Sequence, residues 1–393
     1  MSKTALGQRI TFEYGYAVRV DDEPIGPYPV FGSNGVTGYI DSFKERGPGI
    51  VIGRKGSVGK VAYTEGNFTP TDTAYFLRIL NSDNDSLKFW YYFLAVLGID
   101  KLNTHSAVPG LSRELAYLIE VDIPSFDRQQ KIAAALTTLD AKIDCNNRTN
   151  AELEAMVKTL YDYWFVQFDF PDANCKPYKS SGGKMVYNAA LKRNIPAAWS
   201  AGTLNDLGKI VGGSTPSTEN PDNFTIDGTP WITPYDLSGD QHNKFISRGA
   251  LCVSDRGIKN ASLKKQPAGT VLLSSRAPIG YMAIARVELT TNQGFKSFVP
   301  SNEYSTAFIY YAVKGSLKTI TQYASGSTFK EVSAAVLKTV KLAKPDTNIV
   351  DQFTNTVASI LMKQDLLEQE NQQLAALRDW LLPLLMNGQV TVA

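Results

Sequence analysis

The sequence predicts an α+β protein built from one unit used twice, and three observations carry that prediction. IVIGRKGSVGKVAY from Ile50 lines up with VLLSSRAPIGYMAI from Val271, about 221 residues later, with Gly59 on Gly280 and Thr71 on Asn292. Each copy is followed by a long segment with apolar residues three and four apart. In those segments Leu139 falls on Ile360, Asp144 on Asp365, Leu153 on Leu374 and Leu160 on Leu381. Finally, the period is far longer than the roughly 20–50 residues of a solenoid unit. The duplicated unit is therefore one globular domain plus one long helix, which places two similar surfaces in a fixed relation.

Composition bounds the possibilities. A chain of 393 residues is long enough for two or three domains with real cores. Net charge is only +2, so any nucleic-acid surface must be a local patch. Apolar runs are short and interrupted, which predicts no membrane span, and the N-terminal MSKTALGQRITFEYG lacks an apolar signal core. Cys145, Cys175 and Cys252 are isolated and odd in number. That argues against a disulfide framework or zinc site and fits a reducing cytoplasm. His105 and His242 have no metal-ligand pattern around them, so no metal is expected.

Residues 1–125 read as short strands and turns, with glycine-rich FGSNGVTGY and GPGI between apolar runs such as IVIG and TAYFLRI. LKFWYYFLAVL, residues 87–97, reads as a buried helix whose aromatics belong to the core. Residues 126–168 change character. Ile132, Leu136, Leu139, Ile143, Leu153, Val157, Leu160 and Trp164 mark a heptad seam, interrupted by Asn146 and Asn150. Such polar seam residues cost stability but fix register and partner. Residues 169–195 are a Pro/Gly/Ser-rich connector, and residues 196–346 repeat the strand-and-turn style with longer insertions such as GGSTPSTENPDNF. Residues 347–388 form the second long helix. Its seam runs through Phe353, Val357, Ile360, Leu367, Leu374 and Leu381, with Gln364, Asn371 and Arg378 as polar members; Pro383 kinks or ends it.

Chain order then predicts geometry. If the seams pair side by side, the helices run antiparallel and the domains lie at opposite ends of a rod, related by a pseudo-two-fold axis. Ile132 to Trp164 is 33 residues, about 50 Å at 1.5 Å per residue. That equals about 14 base pairs at 3.4 Å per step, the scale of a ruler for DNA.

The turn Gly53 to Ala62, GRKGSVGKVA, fails as a phosphate-binding P-loop: five residues separate Gly53 from Gly59, and Val61 follows Lys60. Two readings stay open. It is a tight turn between strands, or it presents Arg54, Lys55, Ser57 and Lys60 to a polyanion. Lysine, arginine and backbone amides bind phosphates, and arginine also reads guanine edges. The second copy carries Ser275 and Arg276 there, with Arg276 opposite Lys55. Other polar loops recur nearby: Ser33, Asn34, His105 and Ser106 in the first copy, and Ser214, Thr215, Asn292, Gln293, Lys296, Ser325 and Ser327 in the second. Asn and Gln suit adenine edges and Ser/Thr suit phosphates, although any one of these can be only a solvated loop residue. No constellation for nucleophilic catalysis and no methyltransferase catalytic tetrapeptide is present; Asn220–Pro221–Asp222 is not one. Recognition or assembly is the role left.

YDYWFVQFDFPDANCKPYKSSGGKMVYNAALKRNIPAAW, residues 161–199, strongly resembles the central region of specificity subunits of type I restriction-modification enzymes. DRQQKIAAALTTLDAKID from Asp127 is similar to the start of that family's first long helix. The resemblance covers essentially the whole chain. It implies two similar target-recognition domains of mixed and antiparallel β-sheet with helices, separated by two long antiparallel coiled-coil helices in pseudo-two-fold arrangement. It implies a cytoplasmic, non-catalytic DNA-recognition subunit in which each domain reads half of a split target. Two methyltransferase subunits and two restriction/translocase subunits are the implied partners. S-adenosylmethionine, ATP and magnesium would be needed only by them. The rivals are a coiled-coil scaffold that binds proteins alone, and a self-contained methyltransferase or nuclease. The shorter first domain, without counterparts to the insertions around residues 214–265, implies a different contact with its half-site.

Overall fold

The computed structural model describes residues 2–102, 110–239, 243–301, 303–324 and 331–392. The chain forms two compact units, Met1–Asp144 with Gln372–Ala393, and Cys145–Asn371. Both long helices cross that division, so each unit holds the first part of one helix and the last part of the other.

In the first unit the strands are β1 Ser2–Ala5, β2 Ile10–Tyr14, β3 Tyr28–Gly32, β4 Gly35–Ile40 and β5 Gly49–Gly53. They continue with β6 Val61–Thr64, β7 Thr69–Pro70, β8 Ala74–Ile79 and β9 Glu120–Ile123. Helices α1 Leu87–Val96 and α2 Arg113–Tyr117 precede the long α3, Phe126–Tyr161. One sheet has the order β2-β8-β5-β6 and another β4-β3-β7, while β1 pairs with β9. The all-apolar Ile50–Ile52 run is buried at the centre of its sheet, as a strand covered on both faces requires. Helix α1 starts where Ser86 accepts the Phe89 N–H. It turns Phe89, Trp90 and Phe93 into a core shared with Ile132 and Leu136 of α3 and Leu382 and Leu385 near the chain's end.

The second unit repeats this plan and adds to it. Its strands are β10 Met185–Asn188, β11 Arg193–Pro196, β12 Ser200–Thr203, β13 Gly208–Gly212, β14 Phe224–Thr225 and β15 Thr229–Ile232. Helix α4 Pro234–Ser238 leads to β16 Phe245–Ile246, β17 Leu251–Val253 and α5 Asp255–Asn260. Then come β18 Val271–Ser275, β19 Ile279–Ala285, β20 Thr290–Thr291 and β21 Lys296–Pro300. The chain closes with α6 Thr306–Gln322, α7 Ala334–Leu337, β22 Lys341–Lys344 and α8 Thr347–Met386. The order β13-β21-β18-β19-β16 reproduces the first unit's sheet with one strand added at its edge. That strand, β16, comes from the insertion between β13 and β18.

The offset is constant from β5 onward. Lys55 bridges Gly110 as Arg276 bridges Glu331, both members displaced by 221 residues. Leu111 donates to Arg54 O at 2.9 Å, and Val332 to Ser275 O at 3.0 Å. Helices α3 and α8 start at the same offset. Gly59 and Gly280 both hold positive φ, 76° and 108°, a conformation that disfavours any side chain.

Every seam residue anticipated from the heptads is buried or half-buried. In the first unit Arg378 meets Asp140 at 2.8 Å. In the second, Asn146 Nδ2 donates to Asn371 Oδ1 at 2.9 Å and to Glu370 at 2.8 Å. Gln364 reaches the Asn150 carbonyl at 3.2 Å. In the second unit rising numbers on one helix meet falling numbers on the other, so the paired segments there are antiparallel. Asn146 and Asn371 bond each other across the seam, and a slipped register would leave those groups unpaired. Pro383 stands inside the last turn of α8, which ends three residues later at Met386.

The connector is folded structure rather than a loose linker. Phe168 and Phe170 are buried, Phe170 stacks on Trp199 with centroids 5.2 Å apart, and β10 pairs with β11 as a hairpin.

Candidate nucleic-acid interface

The turn after β5 gathers most of the first copy's candidate residues. Arg54 Nη1 donates to Asp72 O at 2.8 Å, and Lys60 Nζ donates to Asn34 Oδ1 at 2.9 Å. A Cβ on Gly53 would lie 2.0 Å from Ser57 O and 2.5 Å from Ser33 O, so Ser33 and Ser57 close on the same glycine. Lys55 is exposed and has no side-chain partner among the described residues. Ser33, Asn34, Arg54, Lys55, Ser57 and Lys60 thus form one basic, polar cluster. His105 lies outside the described residues.

The second copy's cluster has different chemistry. A groove of about 470 Å³ is walled by Arg276, Asn292 and Glu331, with Pro234 and the exposed Tyr235 at the start of α4. Arg276 lies 3.8 Å and Lys296 3.5 Å from the Glu331 carboxylate, so one acid tempers two cations. Lys296 also donates to Gln293 O at 3.4 Å. Asn292 Oδ1 accepts from Gly294 N at 2.9 Å. Ser214 holds the rim through its backbone, donating to Thr291 O and accepting from Trp231 Nε1. Thr215 beside it is exposed.

Ser275 is a correction. It is fully buried and donates to Gly294 O at 3.1 Å, so its hydroxyl braces the turn and cannot touch a ligand. Ser325 and Ser327 lie outside the described residues. Sequence reading missed Tyr14, Arg113, Tyr235 and Glu331. Tyr14 and Arg113 meet Arg54 only once β2, β5 and α2 are assembled; Glu331 signals itself only as the partner of Gly110 across the repeat.

Elsewhere in the second unit lies a buried charged network. Lys244, just before β16, donates to Tyr311 at 2.8 Å and to Gln364 at 2.7 Å, and pairs with Glu154. Lys314 meets Glu154 at 2.6 Å. Burial would raise the Glu154 carboxyl, but the two lysines outweigh it and hold the group below its usual range. Glu368 accepts the Lys244 and Phe245 N–H groups at 2.7 and 3.0 Å and pairs with Arg286 at 2.9 Å. Burial pushes its carboxyl up to about 7 despite those donors. These contacts bolt the inserted edge strand to α3 and α8.

The duplicated fold thus carries two unlike polar clusters at corresponding turns. The family description "Type I restriction modification DNA specificity domain" matches residues 16–155 and 196–376, and the chain belongs to that family. It is similar to the type I restriction enzyme MjaIX specificity subunit of Methanocaldococcus jannaschii, 40% identical over 46% of this chain and 41% of that one. The HindI specificity subunit of Haemophilus influenzae is 27% identical over 72% of this chain and 71% of its own. The crystal structure of a type I restriction-modification S subunit from M. genitalium matches 98% of this chain and 96% of its own. Its TM-score is 0.59 at 18% identity, which supports the shared fold. Among the described residues no helix is long and apolar enough to cross a membrane.

Proposed function

We propose that the chain recognises a split DNA target, one half-site per reader, as the non-catalytic specificity component of an adenine-N6 methyltransferase and restriction complex. The observation that carries this reading is the repeated cation, Lys55 and Arg276, held by the same backbone bridge in both copies. In this reading residues 1–125 and 196–346 are the readers, 126–168 and 347–388 the spacer helices, and 169–195 the connector. Two methyltransferase subunits dock on the helices. Exposed Met156, Met362 and Leu366 in one unit, and Leu377 and Trp380 in the other, are apolar positions that such partners would cover. S-adenosylmethionine, ATP and magnesium belong to the methyltransferase and restriction/translocase subunits, and the assembly works in the cytoplasm.

Co-expression with the modification subunit, followed by mapping of methylated adenines, tests this. A split motif is expected. A continuous motif, or no methylation, overturns the reading.

A further inference from the structure

Tyr14, Arg54 and Arg113 come together in the first unit from three separate elements. Tyr14 ends β2 and pairs across the sheet with Tyr75. The Arg54 guanidinium carbon lies 4.7 Å from the centroid of the Tyr14 ring, and that of Arg113 lies 4.8 Å from it. The closeness is imposed by backbone: Leu111 donates to Arg54 O, Lys55 bridges Gly110, and Ser112 caps α2 one residue before Arg113.

Holding two guanidinium groups against one ring carries an electrostatic cost. Each is attracted by the ring's quadrupole, but they repel one another. Among the described residues Arg54 makes no ion pair, and Arg113 pairs only with its neighbour Glu114, whose side chain is 71% exposed. Tyr14 is 49% exposed, so the cluster faces solvent. A fixed, under-neutralised pair of cations beside an open aromatic face is organised for a polyanion rather than for the fold.

The second copy shows that the shared framework does not require the cluster. At the corresponding positions it has Gly212, Ser275 and Ala334. The backbone equivalents persist there: Gly212 pairs with Lys296 as Tyr14 pairs with Tyr75, and Val332 bonds Ser275 O. All three chemically active side chains are replaced by small ones while the scaffold stays.

We infer that Tyr14, Arg54 and Arg113 form a phosphate-gripping site of the first reader, contacting the DNA backbone at its half-site. This rests on the DNA-recognition reading above. Both arginines supply the charge, and the ring fixes their planes.

The test uses the chain assembled with its modification subunits and the target mapped by methylation, with binding measured across a salt series. Arg54→Gln and Arg113→Gln are each expected to weaken binding about 10-fold at 0.15 M salt and to reduce the slope of log K against log salt by about 0.9. Tyr14→Phe is expected to bind as the parent does, and Tyr14→Ala to weaken binding. Lys3→Gln, which removes an exposed cation from β1, is the charge control and is expected to change nothing. Unchanged affinity in both arginine variants overturns the inference. So does an unchanged slope with relaxed preference at one base pair, which would make the cluster a base reader. A parent complex that methylates and binds no split target overturns the recognition reading itself.

Discussion

The two readers share a skeleton and differ in charge at the same places. In the first, the turn's cations meet no acid among the described residues: Lys55 has no side-chain partner, Lys60 donates to Asn34, and Arg54 lies over Tyr14. In the second, Arg276 and Lys296 share Glu331, which takes the place of Gly110. Backbone hydrogen bonds conserve geometry whatever side chains they carry, so duplication preserves the platform while side chains diverge. The first copy's cluster is basic and polar. The other mixes an acid, an amide and cations, the donor and acceptor set that separates bases in the major groove. The two half-sites should therefore differ in sequence.

Charge reversal breaks the comparison most sharply. Lys55→Glu with Arg276→Glu should lower DNA affinity by at least about 100-fold in a binding assay. Taken singly, Lys55→Glu should cost more than Arg276→Glu, because Arg276 is already partly neutralised by Glu331. A protein-only scaffold would show no loss in either.

The interval between half-sites can be changed without touching a reader. Adding one heptad to α3 and the equivalent heptad to α8 adds about 10.5 Å of helix, or about three base pairs. Methylome mapping should show the same half-sites with a longer gap; an unchanged gap would remove the helices as the ruler.

Glu331→Gln sharpens the contrast from the other side. Freeing Arg276 and Lys296 should raise DNA affinity several-fold, by about 0.5–1 kcal/mol for relief of exposed pairs. It should also loosen base preference in the second half-site alone, read from binding to single-base variants. Equal loosening in both half-sites would sink the assignment of Glu331 to one reader.

A last prediction concerns the charged network around Glu368 in the second unit. The Glu368 carboxyl, raised from 4.5 to about 7 by burial, takes up a proton on folding between those values. Its contribution to stability is full below about 4.5 and is lost as pH rises through about 7. Thermal unfolding at pH 5.5 and 8.0 should show that fall in the parent and a smaller one in Glu368→Gln. Identical pH dependence would separate Glu368 from the effect.

Much of the fold was legible in the chain. The heptad steps located α3 and α8, because a seam buried by a partner helix needs apolar residues at that spacing. The aromatic run at residues 87–97 announced α1. The repeat placed Arg276 opposite Lys55, and the structure gives both the same bridge. Side-chain destinations were less legible. Ser275 and Arg54 occupy the same repeat position, yet one is sealed in the core and the other lies over an exposed ring. The insertion supplies β16 and Lys244, whose charge is buried between elements more than 65 residues from it in sequence.

The sequence by itself determined the duplication, the periodic helices and the recurrence of positive charge, because period and spacing are properties of one chain read in order. Tertiary structure alone decided which cations remain unneutralised. Charge compensation depends on contacts such as Arg276 with Glu331, or Arg54 and Arg113 with Tyr14, between residues 40 to 99 positions apart, and no local pattern encodes that proximity.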